Sequence, residues 1–106
     1  MTQYKQIYSS AEFIYLKEDY TSATILYFKA IFVSLDSMIL SRIGRTPKDH
    51  TERFTILKKE FPEYYKRLDI LFQIYRDTYT KKIDKETCEE IRNEARYFVE
   101  QAQKSS

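Results

Sequence analysis

The chain has 106 residues, 42% apolar and 32% charged, which is enough for one domain with its own core and too balanced for a disordered or membrane-embedded chain. One Gly and two Pro leave too few turn residues for a β-rich fold, and the abundance of Glu, Lys, Leu and Ile favours long helices. A formal charge of +2 neither requires nor excludes nucleic acid, since an electrostatic footprint for nucleic acid is normally a clearly basic domain.

The first helix is expected over about 2–18. Tyr4, Ile7, Tyr8, Ala11, Ile14 and Tyr15 recur at helical spacing and mark one face. The pattern breaks at Glu18-Asp19-Tyr20-Thr21-Ser22, where Thr21 or Ser22 is the expected cap of the second helix. That helix is expected from about Ala23 to Arg42. Ile25, Leu26, Phe28, Ala30, Ile31, Phe32, Val33, Leu35, Met38, Ile39 and Leu40 nearly encircle it. A helix apolar on most sides is central or meets another chain, and a homodimer is the expected way to cover the surplus. Gly44 suits a left-handed cap at its end.

Thr46 as cap and Pro47 at the first helical position predict a short helix over about 47–60, with His50, Phe54, Leu57 and Phe61 on its apolar face. Pro62 opens a fourth helix carried by Tyr64, Leu68, Leu71, Ile74, Tyr75 and Tyr79, fading near Thr80. Asp84 is the expected cap of a fifth helix with Cys88, Ile91, Ala95, Phe98 and Ala102 as its stripe, and the tail 103–106 is expected to fray. Short connections favour antiparallel neighbours. The fold class is therefore all-α, an antiparallel up-and-down bundle of four or five helices forming one domain over 1–106.

Lone Cys88 cannot close an internal disulfide, which suits a reducing cytoplasm. The start of the chain shows no signal-peptide core, and the most apolar stretch is interrupted by Lys29 and Asp36, so no membrane association is expected. One His and one Cys cannot build a structural zinc site, and no phosphate-cradling glycine loop is present, so neither metal nor cofactor is expected. Nothing local supports a catalytic pair of Cys88 with His50.

Two places could bind a ligand. His50 starts an apolar face among Arg42, Arg45, Lys48, Arg53, Lys58 and Lys59, with Asp49, Glu52 and Glu60 diluting them. A partly buried histidine bridging two helices and a ligand contact both fit. The second place is Tyr75-Arg76-Asp77-Thr78-Tyr79-Thr80-Lys81-Lys82. Lys81 and Lys82 suit a helix C-terminus for dipole reasons alone. Arg76, flanked by Tyr75 and Tyr79, either pairs with Asp69 or Asp77 or offers its guanidinium to a phosphate or a partner's carboxylate. His50, Arg76, Asp77, Tyr79, Lys81 and Lys82 form the candidate ligand-binding set, with no catalytic residue among them.

Ala11-Glu-Phe-Ile-Tyr-Leu-Lys-Glu-Asp-Tyr20-Thr-Ser-Ala23, continuing to Tyr27 and Ala30, forms one piece of a longer pattern. Gly44-Arg-Thr-Pro47-Lys-Asp-His50, Phe61-Pro62, Tyr75-Arg76-Asp77 and Glu89 to Ala95-Arg96 complete it. This order resembles the HEPN domain, the "higher eukaryotes and prokaryotes nucleotide-binding" family, over nearly the whole chain. The resemblance implies a four- or five-helix bundle, often a homodimer, with a nucleotide- or RNA-linked role. It also implies a partner role beside a minimal nucleotidyltransferase in a toxin–antitoxin-like module. Ribonuclease members carry an Arg, a polar residue and a following His. Arg76 and Asp77 match the first two, but Lys81, Lys82 and Ile83 stand where the His belongs. The resemblance therefore implies a non-catalytic binding or partner subunit ahead of a metal-independent ribonuclease. A helical protein-interaction module is the remaining alternative. The first hairpin is also similar to one tetratricopeptide unit, through Ala11, Tyr20, Ala23 and Ala30, although no such period continues.

Overall fold

The computed structural model describes residues 2–105. Five helices make up the fold: α1 (Gln3–Leu16), α2 (Tyr20–Ile43), α3 (His50–Glu60), α4 (Pro62–Asp77) and α5 (Lys85–Ser105). No strand occurs among the described residues.

Helix α2 is the centre. Its buried residues, from Ala23 to Ile39, point in every direction around its axis. The closest helix pairs are α1–α2 and α2–α5. Ala11, Ala23, Ala30 and Ala95 are fully buried, and residues this small let neighbouring backbones approach. Side-chain pairs fix the directions. Tyr8 and Glu12 both meet Tyr27, and Tyr15 meets Tyr20, so α1 and α2 are antiparallel. Glu12 meets Arg92 and Tyr8 meets Arg96, so α1 and α5 are antiparallel too. Tyr64 touches Phe98 and Arg67 pairs with Glu94, which sets α4 against α5 in the same sense. Four helices thus alternate in direction, as expected from the short connections. Helix α3 is the addition: it pairs with α4 as a tight hairpin and runs in the same direction as α2, with His50 beside Phe32 and Arg53 beside Asp36.

Two helix starts differ from expectation, each toward a stronger cap. Asp19, not Thr21 or Ser22, caps α2 by accepting from the Ser22 N–H at 3.2 Å. Thr21 instead accepts from the Ile83 N–H at 2.8 Å and ties down the entry to α5. Helix α3 begins at His50 rather than Pro47, because Asp49 accepts from the Glu52 N–H at 2.8 Å while the Glu52 carboxylate reaches back to the Lys48 N–H at 3.1 Å. That reciprocal arrangement satisfies two orphan donors, which Thr46 does not do here. In the connection 44–49, Pro47 is buried and Thr46 lines a groove with Val33, Asp36, Ser37 and Leu40 of α2, so this strap turns back along that helix. Gly44 does terminate α2 in the left-handed conformation at φ 81°, and Asp84 does cap α5. Helix α5 runs on through Ser105 instead of fraying from 103, and Ser106 lies outside the described residues.

Burial corrects some of the apolar faces. Ile25, Leu40 and Tyr79 are exposed, while Ile56 and Arg53 join the buried side of α3. Of α2's apolar residues, Ile25, Leu40 and Ile43 are the exposed ones, so one chain covers most of the surface that suggested a dimer. This helix also has the length and composition to cross a bilayer, and most of it is buried inside the bundle.

A polar network joins α1, α2 and α5. Arg92 donates to both oxygens of Glu12 at 2.7 and 2.8 Å, and the Tyr27 hydroxyl donates to Glu12 at 2.6 Å. Beside it, Tyr15 donates to Glu89. The Arg92 hydrogen bonds hold the Glu12 carboxyl at about 2 against an ordinary value of 4.5.

Two outcomes follow from this packing. Ala30→Leu forces extra carbons into a filled helix crossing and lowers stability by about 1–3 kcal/mol, read from a denaturant melt. Because folding depresses the Glu12 value, its contribution is present above pH 4.5 and fades as pH falls toward 2. A Glu12→Gln variant, melted across that range, should lose this part of the acid dependence while the wild type keeps it.

Candidate functional site

The candidate site is built from the first turn of α3 and the last two turns of α4. His50 stands at the start of α3 because Asp49 caps the helix immediately before it. Its ring packs against Phe32, Phe72 and Tyr75, with centroids 4.7, 5.4 and 5.4 Å away. Tyr75 rests edge-on against Phe28 and Phe32, and its hydroxyl is 2.8 Å from that of Tyr79 one turn later. Tyr79 itself is 73% exposed, so its ring is an open surface at the helix end.

Arg76 is exposed. Its guanidinium donates to Gln73 at 2.8 Å and lies 5.7 Å from the Phe72 ring centre. It does not pair with Asp69 or Asp77. Asp77 instead accepts from Gln73 at 3.0 Å and faces Lys81 at 3.6 Å. Lys82 is exposed beyond them. The structure therefore brings His50, Arg76 and Tyr79 around Phe72 and Tyr75, and leaves Lys81 and Lys82 on the following turn.

Sequence reasoning missed the support beneath this surface. Arg53 is 8% exposed and donates through Nε and Nη2 to the two oxygens of Asp36 at 2.7 and 2.9 Å. Its Nη1 meets His50 Nδ1 at 2.6 Å. A guanidinium only donates, so Nδ1 accepts and the ring proton sits on Nε2. Burial, and then the Arg53 charge, push the His50 value below 6.5, while Asp36 and Asp49 pull the other way. The one available signal was Asp36 itself, an acid inside the apolar run of α2, with Arg53 three residues after His50.

This geometry limits the chemistry. His50 has no free lone pair to act as a base. Burial and the Tyr79 hydroxyl push Tyr75 up to about 12, so it is no phenolate near neutrality. Cys88 is buried beside Thr24 on the α2–α5 side, and its thiol is pushed up by burial. Thr24 and Phe32 are two turns of α2 apart, about 12 Å at the helical rise, so Cys88 and His50 do not form a pair. No group of three or more His, Cys, Asp or Glu side chains among the described residues is placed to hold a metal ion. Open grooves lie elsewhere, one beside Arg67, Ile70 and Asn93 and another beside Tyr4, Val33 and Leu40. The aromatic and basic side chains form an open surface shelf on which ring faces and cationic donors stand side by side.

Comparison with protein families, curated proteins and solved structures returns no match for this chain.

The Arg53–Asp36 pair supports the His50 side of the shelf. Asp36→Ala strands a buried guanidinium and should cost about 3 kcal/mol, because breaking one side of a buried pair leaves an uncompensated charge. A urea melt of that variant within experimental error of the wild type would show that the pair is dispensable.

Proposed function

We propose that this chain is a non-catalytic, HEPN-like binding subunit that holds a nucleotide or the bases and phosphates of RNA on the α3–α4 shelf. One observation carries the reading: Arg76 is exposed, has no carboxylate partner among the described residues, and lies over Phe72 beside the exposed ring of Tyr79. A guanidinium held only by the Gln73 side chain keeps further N–H donors for phosphate, and an exposed tyrosine supplies a face on which a base stacks. Lys81 and Lys82 add positive potential along the same edge. A single-stranded polymer fits an open shelf better than a free nucleotide does, since small ligands favour enclosed pockets. A second copy or a minimal nucleotidyltransferase is the proposed protein partner, and the homology-like pattern of the sequence is what supports it. A cytoplasmic setting goes with the same reading.

The ribonuclease alternative has one observation in its favour. Phe72 touches both His50 and Arg76, so the two residues share one neighbourhood. Against it, Arg53 occupies the Nδ1 lone pair that a general base needs.

Fluorescence anisotropy of a labelled single-stranded RNA tests the reading. Arg76→Ala should weaken binding by roughly tenfold, flatten the salt dependence by about one phosphate contact, and leave the melt within about 0.5 kcal/mol. Competition by ATP at equal strength would assign the site to a free nucleotide. Cleavage of the RNA, abolished by His50→Gln, would favour the ribonuclease. Unchanged affinity in the Arg76 variant removes the proposed site.

A further inference from the structure

The α3–α4 hairpin is attached to the rest of the bundle differently at its two ends. At one end, Arg67 pairs with Glu94 and Tyr64 packs on Phe98 of α5. At the other, α3 is held to α2 through His50, Arg53 and Asp36, with Phe32, Phe72 and Tyr75 packed around the imidazole. We propose that His50, Arg53 and Asp36 form an acid-released clasp, in which one proton taken up at His50 Nδ1 frees the first turns of α3 from α2.

The geometry requires this. Arg53 Nη1 approaches Nδ1 at 2.6 Å, and that distance is a hydrogen bond only while Nδ1 is unprotonated. A proton there sets two cations in contact. Asp36 and Asp49 offset only part of the second charge, because burial and Arg53 outweigh them and both Asp36 oxygens already accept from Arg53. Asp49, on the same helix, has one oxygen committed to the Glu52 N–H as the cap. From α4 the imidazole meets Phe72 and the neutral hydroxyl-bearing Tyr75, with cationic Arg76 on the Phe72 ring, so no acid faces it from that side. Relief comes by moving His50 or Arg53, and either motion opens the contact with α2.

The direction with pH follows. The closed clasp holds His50 neutral, so the closed state takes up a proton less readily than a free histidine of ordinary value 6.5. Its contribution is complete above that value and falls as pH drops below it, by up to about tenfold in the closing equilibrium per pH unit.

His50 is the only histidine, so its ring resonances can be followed in the native protein without assignment of others. An NMR titration should give a midpoint below 6.5. A midpoint at or above that value overturns the clasp. Amide exchange, corrected for intrinsic rates, is then compared at about pH 7.5 and about pH 5.5, where linkage predicts a loss of protection of up to about tenfold. The loss should be confined to the first turns of α3, with α1 and α5 unchanged. A uniform loss across all helices, or none in α3, overturns local release. His50→Gln keeps an acceptor for Arg53 but cannot titrate, so the acid-dependent loss in α3 should vanish, and its persistence also overturns the proposal. Should the variant not fold, the two measurements on the native chain decide alone.

Discussion

Everything in this fold answers to the need to cover α2 on nearly all sides. A helix with Tyr27, Phe28, Ile31, Leu35 and Ile39 pointing in different directions is insoluble as a surface element. Helices α1 and α5 cover two flanks closely because alanines stand at the crossings. The α3–α4 hairpin covers the remaining flank with larger side chains, through Phe32, Phe72 and Tyr75. The strap at 44–49, with buried Pro47, closes what is left near the end of α2.

Apolar cover alone does not specify how the helices are registered, because greasy surfaces slide against one another with little cost. The polar contacts supply that information. Glu12 meets Arg92 across eighty positions of sequence and takes a third hydrogen bond from Tyr27, which fixes three helices at one level. Asp36 and Arg53 do the same for α2 and α3. Each is a paired, hydrogen-bonded set, and a mispaired register strands several charges at once. The Ser34 hydroxyl is the exception, a buried group without a partner on the central helix.

The candidate shelf is a by-product of how the hairpin docks. Phe72 and Tyr75 are committed to the interior, and their outward neighbours Arg76 and Tyr79 are carried to the surface by the helical repeat. The helix ends at Asp77, so Tyr79 leaves the bundle rather than joining its core. His50 reaches the same place from the other helix of the hairpin, and the Arg53 N–H donated to Nδ1 leaves the ring proton on Nε2. The shelf thus offers donors and ring faces.

The all-helical class, the five segments, the central α2, the Gly44 terminus and the Asp84 cap were legible in local sequence, because periodicity and capping are properties of a few adjacent residues. The stripe Cys88, Ile91, Ala95, Phe98 and Ala102 is buried as its spacing requires. Cap competition was less legible: Asp19 prevails over Thr21, and Asp49 with Glu52 prevails over Thr46 with Pro47, since a carboxylate binds backbone N–H groups more strongly and Thr21 is drawn to Ile83 instead. What only the tertiary structure decided is which charges are buried and together. Arg53 looked like one member of a diluted basic patch, and nothing local linked Glu12 to Arg92. Their roles depend on contacts between helices that the chain order separates, and no local pattern encodes a distance across the bundle.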